Sequence, residues 1–171
     1  LAIKAAEAFV NVGCPLDAEG LLICELDGTD AEVQHQIEKL RLILDKNNAI
    51  QVRVATDAAE RMQLWLGRKA AFPAVGRLAP DYYCMDGTIP RSELAAVLAQ
   101  ITKFSEQHGL DVANVFHAGD GNLHPLILYD ANKAGEIERA EAFGADILNL
   151  CIEVGGTITG EHGVGVEKID Q

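Results

Sequence analysis

A tight turn between two apolar stretches constrains this chain more than any other feature. Residues 112–116, Val-Ala-Asn-Val-Phe, read as one strand, and Leu126 to Tyr129 as its return, with Gly119-Asp120-Gly121-Asn122 between them. Asp-Gly is a favoured dipeptide where the backbone must take positive φ, and two strands that close on it form a hairpin. The hairpin sets His117 on one side of the turn and His124 on the other. Cross-strand neighbours have Cβ atoms about 4.5–5.5 Å apart, so two imidazoles there can share one metal ion.

A second stretch, residues 155–165, has five glycines in eleven residues. That density suits backbone that bends sharply or lies close against a ligand, and its chain entropy predicts a loosely held segment. Glu161 and His162 stand in its middle. His117, His124 and Glu161 together match the ligands of a divalent-metal site that keeps one position open, and nitrogen plus oxygen donors suit zinc, manganese or ferrous iron. Adjacent residues on extended backbone point opposite ways. With Glu161 on the metal, His162 is then available as a general base toward substrate; a second metal ligand or a structural hydrogen bonder is the competing reading.

The chain has 171 residues, 49% apolar and 23% charged, with a net charge of −12. One domain with a real core fits that length. The charge excludes nucleic acid as a partner, because phosphate repels such a surface and no Lys/Arg run offsets it. Cys14, Cys24, Cys84 and Cys151 form no CxxC pair, so zinc-thiolate and iron–sulfur ligation are not indicated; three of them lie in apolar runs and read as small core residues. A reducing, cytoplasmic location fits, and no apolar run reaches the roughly 18 residues of a membrane span. The glycine-rich stretch follows a helix rather than a strand and has no GxGxxG, so it is not a dinucleotide fingerprint.

In chain order, the pattern predicts a helix over 2–12, a strand over 21–27, a helix capped by Asp30 with Val33, Ile37, Leu40 and Leu44 at helical spacing, and a strand over 50–55. A third helix runs from Asp57 to about Phe72, followed by a loop over 73–80 and a strand over 81–86. A helix from Pro90, the hairpin and a last helix over 133–153 complete the chain. The fold class expected is α+β, a ferredoxin-like sheet covered by helices, built on a split β-α-β unit.

Arg61, Trp65, Arg68 and Phe72 share one side of the third helix. An arginine whose stem packs on aromatics is the plain reading of Arg68; a guanidinium aimed at a substrate carboxylate is the functional one. Asp120 and Asn122 are turn-building types, and Asn122 is also the candidate for a contact to cofactor.

His-Ala-Gly-Asp-Gly-Asn-Leu-His (117–124) with Gly-Glu-His-Gly-Val-Gly (160–165) resembles the C-terminal domain of FAD-linked oxidases of the vanillyl-alcohol oxidase type. Trp65-Leu-Gly-Arg-Lys-Ala-Ala-Phe72 and Pro80-Asp-Tyr-Tyr-Cys-Met-Asp-Gly-Thr-Ile-Pro-Arg-Ser92 look most like the FAD-linked subunits of bacterial glycolate oxidases. The resemblance implies a ferredoxin-like substrate domain capping a flavin. It implies metal ligands at His117, His124 and Glu161, a base at His162, and a carboxylate-holding arginine at Arg68. It also implies oxidation of a small 2-hydroxy acid, glycolate first and D-lactate second, with hydride passing to FAD. Partner subunits, an iron–sulfur protein among them, and a peripheral place at the inner membrane through those subunits follow from it too. Some relatives carry asparagine where this chain has Leu126, which removes a polar substrate contact and fits a smaller substrate. The family's FAD-binding domain is not among these residues, so residues 1–171 read as a single substrate or cap domain, a fragment of a longer flavoprotein expected to be inactive alone. Two other classes fit the same donors: a metal-dependent hydrolase, and a non-catalytic ligand-binding ferredoxin-like module.

Overall fold

The computed structural model describes residues 1–171. Five α-helices and an antiparallel sheet make an α+β fold: α1 (Ala2–Val10), α2 (Asp30–Lys46), α3 (Ala58–Val75), β1 (Asp81–Cys84), β2 (Gly87–Thr88), α4 (Leu94–His108), β3 (Val112–His117), β4 (Asn122–Tyr129) and α5 (Glu136–Glu153). β4 is central. β3 pairs along one side of it, while β1 and then β2 pair along the other. From β1 to α5 the order is the split β-α-β arrangement expected. The place of a further edge strand is marked by a single antiparallel bridge, Thr88 to Thr157.

β4 is buried on both faces, and its alternation divides the core. Leu123 and Ile127 pack with Met85, Val97, Ile101, Phe143 and Ile147, under α4 and α5. Leu126 and Leu128 pack with Ala5, Ala71, Ala74 and Val75, under α1 and α3. Each large apolar side chain buried this fully contributes about 1.5–3 kcal/mol. Small residues of α3, Gly67, Ala70, Ala71 and Ala74, are buried on its inner side. His124 and Asn122, both buried, continue the same face beyond Leu126, and this is where the site lies.

Several elements differ from expectation. The strands expected at 21–27 and 50–55 do not form: neither segment has a ladder partner, and Leu22 and Ile50 remain 63% and 71% exposed. A strand is stable only through its pairing, whatever its propensity. α2 buries no residue, so its apolar stripe is unused here. Its N-cap is Thr29 rather than Asp30, because Thr29 and Glu32 close a reciprocal capping box. α3 runs through Pro73 to Val75, since burial of Ala74 and Val75 outweighs the backbone bond that proline removes. β1 ends at Cys84, and the last helix starts at Glu136 rather than near Lys133. Of the four cysteines only Cys151 is fully buried; Cys24 is exposed, and Cys14 and Cys84 are intermediate. No helix is long and apolar enough to cross a membrane.

Candidate functional site

The hairpin register places His117 opposite Asn122 and His124 opposite Val115. The two histidines are therefore diagonal neighbours rather than a direct pair. Both lie on the same face, and their ring centroids are 5.5 Å apart. Gly121, at φ 71°, makes the reversal that sets this register. Asn122 is the first residue of β4 rather than part of the turn. It is buried, and its amide lies directly beneath Gly160, where any Cβ would collide with it.

Glu161 reaches both histidines. One carboxylate oxygen lies 3.7 Å from His117 Nε2 and the other 3.7 Å from His124 Nε2. The three donor atoms lie within 4.8 Å of one another, close enough for one ion to touch all three. His124 is 3% exposed, and its Nδ1 has no hydrogen-bond partner. Burial lowers its pKa, against the pull of Glu161 and Asp86. A buried, neutral imidazole is the form that binds a metal, so these residues fit a divalent ion.

The glycine-rich segment is not displaced. It is anchored by Asp86, a residue the sequence reading did not single out. The Asp86 carboxylate accepts from the Thr159 hydroxyl at 2.9 Å and from the backbone N–H groups of Gly160 at 3.0 Å, Glu161 at 2.9 Å and His162 at 2.7 Å. Consecutive N–H groups curled around one anion form a nest. Burial works to raise the Asp86 pKa, but these donors outweigh it and hold the carboxyl far below its usual range. Lys168, also buried, places its ammonium 3.7 Å from Asp86. A signal did exist, an acidic residue among apolar neighbours in Tyr83-Cys84-Met85-Asp86, but only the fold brings it to the loop.

The nest also changes where His162 points. Because the backbone curls round Asp86 instead of running extended, Glu161 and His162 do not face opposite ways. Both converge on His124, and the His162 ring stacks on the His124 ring at 5.3 Å and 16°. α3 supplies the remaining wall. Phe72 meets His124 edge to face at 6.3 Å. Arg68, one turn earlier, is half-buried; burial lowers its pKa while the charge of Glu161 raises it, which puts its guanidinium in the field of the site. Trp65 is half-buried and Arg61 exposed on the same helix. Leu126 points into the α1/α3 core rather than into the site.

The fold and the site together define an α+β domain in which two imidazoles and a carboxylate sit beside a third imidazole, with a guanidinium in the field of the carboxylate. The chain belongs to the family described as FAD linked oxidases, C-terminal domain, which matches residues 1–171. It is 61% identical to glycolate oxidase subunit GlcD of Escherichia coli (strain K12), over all of this chain and 34% of that protein. It is 38% identical to the Bacillus subtilis (strain 168) protein of the same name, over 95% of this chain and 34% of the relative. A mitochondrial D-lactate dehydrogenase [cytochrome] of Arabidopsis thaliana is 31% identical over 86% of this chain and 26% of its own. The chain thus spans about one third of the glycolate oxidase subunits it matches.

Proposed function

We propose that this chain is the substrate-side domain of an FAD-dependent oxidoreductase that converts a small 2-hydroxy acid, glycolate first and D-lactate second, to the 2-oxo acid. The observation that carries the reading is the convergence of His117, His124 and Glu161 within 4.8 Å, with His162 stacked on His124. Similarity to glycolate oxidase subunits and, at lower identity, to a D-lactate dehydrogenase favours a 2-hydroxy acid over the water that a hydrolase would activate.

His117, His124 and Glu161 would hold a divalent ion, zinc, manganese or ferrous iron by donor type. When bound, the ion supplies a Lewis acid that acidifies an α-hydroxyl. The flavin supplies a two-electron acceptor. The exposed backbone of Gly163 and Gly165, with open space beside each α-carbon, leaves room for a ring system on that side. The rest falls to side chains of this chain. Arg68 fixes the substrate carboxylate through two parallel hydrogen bonds, so that the hydroxyl is presented to His162. His162 removes the hydroxyl proton. Asp86 holds His162 and Glu161 in place through their own backbone. Phe72 excludes water from one side of His124.

Because the glycolate oxidase relatives are named as subunits, we place the protein in a multisubunit oxidase; an iron–sulfur subunit as the next electron carrier is what the family resemblance implies. The protein would lie in the cytoplasm, held at the inner membrane through its partners. The test is anaerobic mixing of the intact flavoprotein with glycolate and with D-lactate. Bleaching of the flavin by either acid supports the reading, and no bleaching by either overturns it.

A further inference from the structure

His124 belongs to a second group of donors. Cys84 Sγ, a nitrogen of His124 and a nitrogen of His162 lie within 4.8 Å of one another. Cys84 ends β1 on the same sheet face as His124. A cavity of about 220 Å³, lined by Cys84, His162, Val164 and Lys168 among others, gives access to the thiol from solvent. The Nδ1 of His124, in a side chain 4% exposed, has no hydrogen-bond partner within the protein.

We propose that Cys84, His124 and His162 form a second metal position, selective for thiophilic dications, that competes with the His117–His124–Glu161 position and disables the site when filled. The two sets share His124 and differ in two donors: His162 stands in place of His117, and a thiolate in place of the carboxylate. Soft thiolate selects zinc, cadmium or similar ions, whereas the carboxylate set also suits harder ones such as manganese. On binding, the thiol S–H breaks, its proton goes to solvent, and a metal–sulfur bond forms with no change of oxidation state. Two imidazoles and one thiolate leave a fourth tetrahedral position for water from the cavity. Both sets draw on His124, and two dications a few ångströms apart repel. An ion in the Cys84 set also takes the lone pair of His162, which then has no proton affinity left to offer a substrate.

The donors alone carry the second position; its competition with the first position and the loss of function on filling rest on the function proposed above, whichever acid is oxidised. The test is titration of the intact protein with Cd²⁺, read by the thiolate-to-cadmium charge-transfer band in the ultraviolet. Wild-type protein should develop the band with one equivalent of Cd²⁺. Cys84→Ser, or Cys84→Ala if the serine variant does not fold, should lose it. His162→Ala should weaken Cd²⁺ binding at least about tenfold, about 1.4 kcal/mol. His117→Ala should keep the band at full amplitude, because His117 belongs only to the other set. No band in wild type, or a band that survives loss of Cys84 and so arises at Cys14 or Cys24, overturns the proposal. Loss of the band in His117→Ala as complete as in the Cys84 variant also overturns it, because only one position would then exist.

Discussion

The backbone N–H of His162 donates to the buried carboxylate of Asp86 at 2.7 Å, the shortest of the bonds that fasten the glycine-rich loop to the sheet. Through it the backbone that carries the His162 imidazole is held against the sheet. Asp86→Asn removes the charge that these donors share and leaves the Lys168 ammonium buried without its partner. Removing one member of a buried charged pair costs about 3–5 kcal/mol. We expect a loss of that size in urea unfolding, and a fall in kcat larger than any change in KM.

The same carboxylate predicts an acid limb. Its folded pKa lies well below the ordinary aspartate value of 3.8. In the window between the two values the unfolded chain binds the extra proton, so stability rises with pH there. The contribution of Asp86 is fully present above the unfolded value and drains away as pH falls through the carboxylate range. Wild-type melting temperature should therefore drop from about pH 5 downward. The Asp86→Asn protein, already weaker, should show a flatter profile; an equally steep one would place the acid limb elsewhere.

Arg68→Lys separates binding from packing. Arg68 stands one turn before Phe72 and within the field of Glu161. Lysine offers a point charge in place of a planar fork, and charge-assisted hydrogen bonds are worth about 1.5–3 kcal/mol each. KM for glycolate should rise roughly tenfold or more, with melting temperature and flavin content nearly unchanged. A lower melting temperature with normal KM would return Arg68 to a packing role.

Gly156 tests how closely the loop must approach the sheet. A Cβ there would run into the carbonyl oxygen of Thr88, with that of Cys151 also in its way. Overpacking of this kind costs about 1–3 kcal/mol. Gly156→Ala should thus lower stability and, by lifting Glu161, weaken metal binding, both measurable on one preparation by urea unfolding and metal titration.

Much of this was legible in the residues. The hairpin, its turn at Gly121, the shared face of His117 and His124, and the helical side holding Arg68 and Phe72 all follow from local periodicity. The diagonal offset of the two histidines did not, because the loop length fixes register and one residue either way changes the partner. Segments 21–27 and 50–55 carry strand composition, yet pairing depends on a neighbour that composition does not supply. Asp86 showed only as an acidic residue among apolar neighbours, because its role lies in four donors more than seventy residues away. The opposite-facing picture of Glu161 and His162 assumed extended backbone, which the curl around Asp86 replaces.

On the function proposed above, the His117–His124–Glu161 group holds an ion that prepares a 2-hydroxy acid for oxidation. The most direct measurement of that role is the rate of flavin bleaching by glycolate in the intact flavoprotein before chelation, after removal of metal, and after addition of zinc or manganese, with His124→Ala alongside. Bleaching should fall by at least about 100-fold on chelation, about 2.7 kcal/mol, return on adding one of the ions, and not return in His124→Ala. Bleaching that continues unchanged in the chelated, metal-free protein would contradict it.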